Sequence, residues 1–400
     1  MKLLIIADAF PPMRTSAAVH MSELAIELIA QGHYVVVVVP QTSFVPSIAI
    51  SDYYGVKLVS ISTPKTKDVS YLRRVIAEFL LPYVMYYRLR SCSIFNENFD
   101  GIIWYSPTIF FGPLISRLKS RYQCRTYLVL RDMFPDWAVD LGLMRRGLPY
   151  YILKIVEYYQ YKLADVIGIQ APGNFKYFDR GLLGKFKSKV KLLWTWVTPA
   201  GLLKKCSIDL SKTKLAGRIN FVYAGNIGVA QDFDLIMSFI NLCKERSDIG
   251  FVFVGRGSEV GRLKSVAAQN GSRNILFFDE IESTEIPALY AQCSIGLVAL
   301  DPRHMSNNIP GKFLSYMDSG LPVLARLNPG NDLIQMINDN EVGASYQGYD
   351  PDEFKEIAYR LIEIVQNNQS MSSRCRNLAR ALFSTENAAK QIVNSLMYGN

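Results

Sequence analysis

Lys312 stands at the entrance of a short predicted helix, directly after a proline and a glycine. Gly320 and Pro322 end the helical pattern. The first amides of a helix have no intrahelical partner, and together with a nearby ammonium they suit a diphosphate. The alternative is an ordinary helix of an α/β domain whose first lysine is solvated.

Two glycine turns precede this segment. One apolar run ends in a turn that contains Gly225, Asn226 and Gly228, and a later run ends in a turn that places Arg256 between two glycines. Glycines let the backbone approach a ligand closely, and a guanidinium can fork onto phosphate oxygens. We therefore predict that Arg256 and Lys312 share one diphosphate, although a surface position remains the alternative for Arg256.

The second turn also has some likeness to a dinucleotide-cofactor loop, because Asp279 ends the next strand. The spacing fits poorly, since three residues rather than two separate Gly257 from Gly261. The turn also follows an interior strand of its domain rather than the first one. A lone pattern of this kind is weak evidence, and we prefer the diphosphate interpretation.

Strands and helices alternate in two series that position these turns. Strand-like runs of the first half lie near residues 3–7, 34–39, 101–105 and 127–130, and those of the second half near 220–223, 250–254, 274–278, 295–300 and 322–325. Residues 195–214 read as a linker, and 387–397 as a final helix. The pattern predicts two Rossmann-like, doubly wound α/β domains, residues 1–197 and 198–383, that face each other across a cleft.

Composition excludes several classes of protein. No apolar run reaches the roughly 18–20 residues that cross a bilayer, and the N-terminal run reads as a strand rather than a signal peptide. The six cysteines and three histidines are scattered, so we expect neither a disulfide framework nor a metal site. These features predict a cytoplasmic protein.

The positive charge is concentrated in the first half. Residues 1–200 contain 24 Lys and Arg against 14 Asp and Glu, whereas residues 201–400 contain 20 against 21. Nucleic acid and anionic lipid are both candidate partners for such a surface. Residues 71–90 mix aliphatic side chains, tyrosines and arginines, which favours an anionic membrane surface over nucleic acid. Pro82 should kink or split this helix, and a core helix with snorkelling arginines is the alternative.

Several segments, in this order, resemble family 4 glycosyltransferases. They are residues 10–12, 131–137, 223–228, 255–257, 289–294 and 310–323. The segment at 131–137 is similar to the branch that builds bacterial O-antigens and capsules, which includes N-acetyl-L-fucosamine transferases. The resemblance covers nearly the whole chain.

This resemblance implies a GT-B fold and metal-independent, retaining sugar transfer without a cofactor. A UDP-sugar donor would lie mainly on the second domain, and a polyprenyl-diphosphate-linked acceptor on the first, at the inner face of the plasma membrane. The last helix, about residues 384–400, would pack back on the first domain. Asp132, helped by Arg131, would position or deprotonate the acceptor hydroxyl, although an ion pair with a neighbouring arginine is the alternative for Asp132.

The chain departs from the family at two places. Asn307 and Ser315 stand where the family usually has glutamates. The side chain of Ser315 is shorter than that of glutamate, and it offers the donor ribose only a neutral hydrogen bond. Arg14 and Ser16 occupy a loop that often has a glycine pair, and both side chains are candidates to reach an anion. Two other interpretations therefore stay open, a GT-B sugar-nucleotide epimerase and a non-catalytic binder of nucleotide sugars.

Overall fold

A computed structural model shows two compact α/β units. The first comprises Met1–Trp196 and Thr385–Asn400, and the second comprises Val197–Ser384. The structure describes residues 1–13, 15–42, 46–66, 69–106, 108–140, 142–179, 181–199, 205–301, 307, 309–368 and 370–398. Arg14 and residues 200–204 of the predicted linker lie outside these ranges.

The first unit alternates strands and helices as the sequence predicts. Its strands are β1 (Lys2–Ile6), β2 (Tyr34–Gln41), β3 (Ile48–Tyr53), β4 (Val56–Ser62), β5 (Gly101–Ser106), β6 (Arg125–Leu130), β7 (Val166–Ile169) and β8 (Val190–Leu192). Its helices before the linker are α1 (Ser16–Ala30), α2 (Tyr71–Leu89), α3 (Gly112–Tyr122), α4 (Asp136–Asp140) and α5 (Leu148–Leu163). Short 3₁₀ helices span Ser93–Asn96, Pro172–Phe178 and Gly181–Lys189.

Within the described part of this unit, the strands form one eight-stranded sheet in the order β3-β4-β2-β1-β5-β6-β7-β8. Neighbouring strands are parallel except β3, which is antiparallel to β4. Hydrophobic cores cover both faces of the sheet, which explains why its central strands are almost continuously apolar. The strand order reverses between β1 and β5, and polar groups beyond the carboxyl ends of these strands therefore share one crevice.

The second unit repeats this plan with shorter elements. Its strands are β9 (Ile219–Ala224), β10 (Ile249–Val254), β11 (Ile275–Phe278), β12 (Ile295–Ala299), β13 (Val323–Arg326) and β14 (Gly343–Tyr346). Its helices are α6 (Asp234–Leu242), α7 (Val260–Gln269), α8 (Ile286–Tyr290), α9 (Gly311–Asp318), α10 (Asp332–Asp339), α11 (Pro351–Asn367) and α12 (Met371–Leu382). Leu210–Lys212, Val229–Gln231 and Ser283–Glu285 form 3₁₀ turns.

The described strands of the second unit form a parallel sheet in the order β11-β10-β9-β12-β13-β14. The strand order reverses between β9 and β12. The turn at Gly225 follows β9, and α9 with Lys312 follows β12. The Gly225 turn and the start of α9 therefore meet at the switch point, where doubly wound folds bind their ligands.

The last helix, α13 (Thr385–Tyr398), belongs to the first unit. Its buried side chains, among them Ala389, Ile392 and Leu396, join the core on one face of the first sheet. A Cβ on Gly101 of β5 would lie 2.9 Å from a methyl carbon of Leu396. The helix therefore packs closely over the centre of this sheet.

The helix α2 runs through Pro82 as one element, so of the two expected effects of this proline the split does not occur. Leu81, Met85 and Leu89 form one buried stripe in the core of the first unit. Packing of both halves against the same core outweighs the backbone hydrogen bond that the proline removes. Across the described residues, we find no helix with the length and apolar character needed to cross a bilayer.

Candidate functional site

The two glycine turns of the second unit lie directly against each other. Gly225 and Gly255 have φ angles of 131° and 143°, a region that side-chain-bearing residues rarely adopt. The amide of Gly225 donates to the carbonyl of Val254 at 2.9 Å, and that of Ile227 donates to Arg256 at 2.8 Å. A Cβ on Gly255 would stand 2.0 Å from the carbonyl oxygen of Gly225, so this contact between backbones requires glycine.

Lys312, the second residue of α9, reaches over the first of these turns. Its Nζ lies 3.0 Å from the point where a Cβ on Gly225 would stand, and 4.5 Å from the ring centroid of Tyr223. Burial lowers the pKa of Lys312 to about 8. In the part of the chain that the structure describes, this ammonium has no carboxylate and no hydrogen-bond partner. A desolvated cation beside the start of a helix and a glycine turn has the chemistry that suits an anion, and donor binding at this place stays a prediction.

Tyr316 holds α9 in place, and the sequence did not reveal this role. Its hydroxyl lies 3.1 Å from the carbonyl oxygen of Val222 on β9 and 3.2 Å from that of Leu297 on β12. Its ring packs so closely on Gly296 that a Cβ there would lie 2.7 Å from it. The helix is thereby fixed across both strands of the switch point, and the position of Lys312 follows from this.

Arg256 occupies the second turn but is mostly exposed. About three quarters of its side chain (76%) is accessible to solvent, and its Nε lies 3.2 Å from a carboxylate oxygen of Glu280. An exposed ion pair of this kind contributes little to stability and exchanges easily for another anion. That Arg256 and Lys312 bind one diphosphate stays a prediction.

The remaining predicted donor residues differ in what they can offer. Asn226 is exposed, and its carbonyl oxygen accepts a hydrogen bond from the Tyr223 hydroxyl at 2.7 Å. The amide of Gly228 donates to the Gln231 side chain at 2.9 Å, so it is already engaged. Ser315 lies one helical turn beyond Lys312, and its hydroxyl donates to the carbonyl of Gly311 at 3.3 Å.

Two of the predicted residues, Asn307 and Ser16, lie close to residues outside the described ranges. Asn307 is buried, and its immediate neighbours lie outside the described residues. Ser16 is exposed as the first residue of α1, whose preceding residue Thr15 caps the helix through a bond from the amide of Ala18 at 3.2 Å. Its predicted contact with a donor phosphate stays a prediction.

A polar cluster occupies the switch point of the first sheet. Arg131, which follows β6, donates to the hydroxyl of Tyr105 at 2.9 Å and lies 3.2 Å from Nδ1 of His20 on α1. Asp132 follows Arg131 and adds negative charge that acts on both Arg131 and Tyr105. The structure therefore brings the two predicted residues to the carboxyl edge of the first sheet, as expected.

Burial and neighbouring charges determine which groups of this cluster are charged. Burial, together with the charge of Arg131, lowers the pKa of His20 to about 3, so its imidazole is neutral. Burial raises the pKa of Tyr105 to about 12. For Arg131, burial works to lower the pKa, but Tyr105 and Asp132 outweigh it, so its pKa is raised. A permanently charged guanidinium is thus held between two neutral groups and a carboxylate.

His20 on α1 is a packing residue that also contacts Arg131. Its ring packs on Trp196 at a centroid distance of 5.6 Å, and its carbonyl accepts a bond from the Trp196 indole at 3.2 Å. These contacts orient the ring toward Arg131. Throughout the described ranges, we find no group of three or more His, Cys, Asp or Glu side chains placed to hold a metal ion.

Comparisons with known proteins find a family match within the second unit. Residues 218–364 match the family described as "Glycosyl transferases group 1". A probable glycosyltransferase of Pseudomonas aeruginosa, WbjE, is 23% identical over 249 residues, which cover 59% of this chain and 60% of that protein. A putative colanic acid biosynthesis glycosyltransferase of Escherichia coli, WcaI, is 22% identical over 80% of this chain and 82% of its own length.

Solved structures extend the likeness to the first unit. An Escherichia coli protein described as trehalose-6-phosphate with bound UDP-2-fluoro glucose has a TM-score of 0.72 at 10% identity, over 99% of both chains. WaaG, a glycosyltransferase of lipopolysaccharide biosynthesis, has a TM-score of 0.65 at 13% identity over 99% of this chain and all of its own. The chain is a glycosyltransferase of the GT-B fold. The matched family region of this glycosyltransferase includes both glycine turns and Lys312, whereas Arg131, Asp132 and Ser16 lie outside it.

Proposed function

We propose that this glycosyltransferase moves a sugar from a UDP-sugar to a polyprenyl-diphosphate-linked acceptor during synthesis of a bacterial surface polysaccharide such as an O-antigen or capsule. The names of two similar proteins point to this setting, one to colanic acid and one to lipopolysaccharide biosynthesis. Anabaena HepE, a further structural neighbour with a TM-score of 0.65 at 14% identity over 99% of both chains, is described in complex with UDP and glucose.

The observation that carries this proposal is the position of Lys312. Negative charge grows on the leaving diphosphate as the bond to the sugar breaks, and a preorganised cation stabilises that charge. The ammonium lies beside the Gly225 turn, is largely buried and has no carboxylate partner in the described part of the chain. Its attraction to a diphosphate is therefore little weakened by solvent or by a competing acid.

The polar cluster of the first unit supplies the acceptor side of the proposal. Asp132 would orient or deprotonate the acceptor hydroxyl, and Arg131, held by Tyr105 and His20, would fix that carboxylate or an acceptor phosphate. We propose that the transfer retains anomeric configuration and needs neither a metal ion nor a cofactor. The transferred sugar would be an amino-deoxy sugar such as N-acetylfucosamine.

We also propose that the enzyme works at the cytoplasmic face of the plasma membrane. Ile76, Leu80, Tyr83 and Tyr87 form an exposed apolar stripe at helical spacing along α2. Arg73 and Arg74 are exposed near the start of the same helix, where Arg74 also pairs with Glu78 at 2.9 Å. Apolar side chains beside cations suit the boundary between lipid headgroups and acyl chains.

The test is a transfer assay with a panel of UDP-sugars and polyprenyl-diphosphate-linked acceptors. Lys312→Ala should lower kcat by about a hundredfold or more, by analogy with the loss of one oxyanion donor. Lys264→Ala is the matched control, since Lys264 is an exposed lysine on α7 with no ion pair in the described structure. Transfer by Lys312→Ala at the wild-type rate, or UDP-sugar turnover without any acceptor, would contradict the proposal.

A further inference from the structure

A groove on the first unit lies among α4, α5 and the 3₁₀ helix Gly181–Lys189. It has a volume of about 720 Å³, which is within the ~300–1,000 Å³ of small-ligand sites. Most of its lining surface is apolar, and the residues that line it include Tyr151, Ile155, Tyr158 and Leu182. These residues play no part in the donor site or in the polar cluster around Arg131.

Several apolar side chains at the groove are exposed to solvent and are not part of the buried core. Tyr151, Ile155 and Leu182 are 58%, 68% and 77% accessible to solvent. Leu148 and Ile152 continue the same exposed surface along α5, at 74% and 43%. A contiguous apolar surface around a concavity marks a place where another apolar molecule binds.

Lys154, one of the residues that line the groove, is paired with two carboxylates. Lys154 lies 2.8 Å from a carboxylate oxygen of Asp136 and also pairs with the buried Glu157. Tyr150 donates a hydrogen bond to Asp136 at 2.8 Å. This internal network leaves no charge of Lys154 to attract a ligand.

Two other cations at the groove are not compensated. Lys185 Nζ lies 4.3 Å from the ring centroid of Tyr158, and the Arg146 guanidinium lies 6.0 Å from that of Tyr150. Neither cation has a carboxylate partner among the described residues. Residues 136–191 as a whole contain ten Lys and Arg against five Asp and Glu. The lining itself contains three cations against two carboxylates, Asp136 and Asp140, so the groove has a net positive charge, while its walls are apolar.

We infer that this groove binds the isoprenoid chain of the lipid-linked acceptor, with Arg146 and Lys185 next to its anionic diphosphate end. The inference rests on the proposed function, since it names where the acceptor lipid is held. An apolar chain that ends in a diphosphate complements both features of the groove, its apolar walls and its net positive charge. The concave shape favours an inserted chain over the flat contact that a bilayer surface makes.

The first experiment separates chain binding from chemistry. We compare an acceptor on a long polyprenyl chain with the same sugar diphosphate on a short alkyl chain. Ile155→Asp and Leu182→Asp should each raise KM for the long-chain acceptor about tenfold, because a charge replaces an apolar contact. KM for the short-chain acceptor and for the donor should not change. Both side chains are exposed, so these substitutions should leave folding intact.

The control is Ile364→Asp, at an isoleucine of the second unit that is 46% exposed on α11. It should match the wild type with both acceptors. The inference is overturned if the groove variants keep the wild-type KM for the long-chain acceptor, or if they lose the short-chain acceptor to the same extent.

A second measurement does not depend on sugar transfer. A photoreactive isoprenyl diphosphate is cross-linked to the full-length wild-type protein, and the labelled peptides are identified by mass spectrometry. Label on α5 or on residues 181–189, displaced by polyprenyl phosphate, supports the inference even if no donor is ever turned over. In that case only the proposed function fails. Label elsewhere, no label, or displacement by phosphatidylglycerol but not by polyprenyl phosphate overturns the inference, even in an enzyme that transfers sugar.

Discussion

The ammonium nitrogen of Lys312 lies 3.0 Å from the point where a Cβ on Gly225 would stand. The two residues are far apart in sequence, yet they meet because β9 and β12 are neighbours at the switch point of the second sheet. The glycine makes room for the lysine, and the lysine places its charge beside a turn whose backbone is exposed. Neither residue alone would offer an anion both a cation and an exposed backbone turn.

Gly225→Ala tests this relationship. The new methyl group would crowd Lys312, and the φ of 131° is a strained conformation for alanine. We expect a loss of about 1–3 kcal/mol in the free energy of unfolding and a large loss of UDP affinity. Chemical denaturation and isothermal titration calorimetry measure the two effects.

The matched control for that change is Gly261→Ala on α7. A Cβ there would meet no atom within 4 Å, so we expect equal or slightly higher stability and unchanged UDP binding. If Gly225→Ala bound UDP as the wild type does, the close contact between turn and lysine would have no role in donor binding.

The pH dependence of UDP binding tests the charge of Lys312. Burial lowers the pKa of Lys312 to about 8, and a bound diphosphate stabilises the charged form and so raises this pKa. UDP affinity should therefore fall as the pH rises from 7 to 9, and binding near pH 9 should take up close to one proton. Titrations in buffers of different ionisation enthalpy measure that uptake.

The free protein should show the opposite trend in stability. A lysine whose pKa is lower in the folded state than in the unfolded state disfavours folding while it is charged, and this penalty decreases as the pH rises from about 8 and is lost above the ordinary lysine pKa of 10.5. Lys312→Arg is the control, because arginine stays charged and should flatten the pH dependence of UDP binding between pH 7 and 9. An unchanged slope in that variant would assign the titration to another group.

The sequence predicted the donor turns better than the cluster around Arg131. Turn glycines and a helix-start lysine are local signals, and the alternation of strands places them at one edge of the sheet. The contact between His20 and Arg131 joins α1 to the end of β6, and no spacing in the sequence encodes it. The role of Tyr316 was missed for the same reason, since its hydroxyl bonds to two strands that are distant in sequence.

The hairpin at the edge of the first sheet was also not predicted from the sequence. The strands β3 and β4 form an antiparallel hairpin around Tyr54 and Gly55, whose φ angles are 52° and 84°. A tyrosine in the left-handed region is uncommon, and the sequence therefore gave little sign of this turn. The hairpin adds one antiparallel edge strand to a sheet whose other described strands are parallel.

Tyr105→Phe tests whether the hydrogen bond that positions Arg131 contributes to acceptor binding. The change removes the hydroxyl that accepts from Arg131 at 2.9 Å, while the ring stays in the core. We expect a stability loss of about 1 kcal/mol and a higher KM for the acceptor, with KM for the donor unchanged. Steady-state kinetics with each substrate varied in turn separates these effects.

Tyr127→Phe is the matched control on the adjacent strand. The Tyr127 hydroxyl is buried and has no hydrogen-bond partner among the described residues, so its removal should be neutral or slightly stabilising. Equal changes in the donor and acceptor KM of Tyr105→Phe would show that the hydroxyl supports the fold rather than the acceptor site.

The exposed stripe of α2 predicts salt-sensitive membrane binding. Sedimentation with vesicles that contain phosphatidylglycerol should weaken as salt rises, because screening reduces the attraction of cations to anionic lipid. Replacing Arg73 and Arg74 with glutamine should lower the partition coefficient by up to roughly thirtyfold at low salt, since each cation near the surface contributes about 1 kcal/mol. Ile76→Asp should weaken sedimentation at all salt concentrations, because it removes an apolar contact that salt does not screen.

The control for the arginine pair removes the same charge from the second unit. Lys264 and Arg360 are both exposed on helices of that unit, and replacing both with glutamine should leave sedimentation close to that of the wild type. If this control weakened binding as much as the loss of Arg73 and Arg74, net charge rather than α2 would account for the attraction. Sedimentation of the wild type that did not depend on salt would argue against an electrostatic contribution from these arginines altogether, because exposed charges at a surface are screened within about 10 Å at 0.1 M salt.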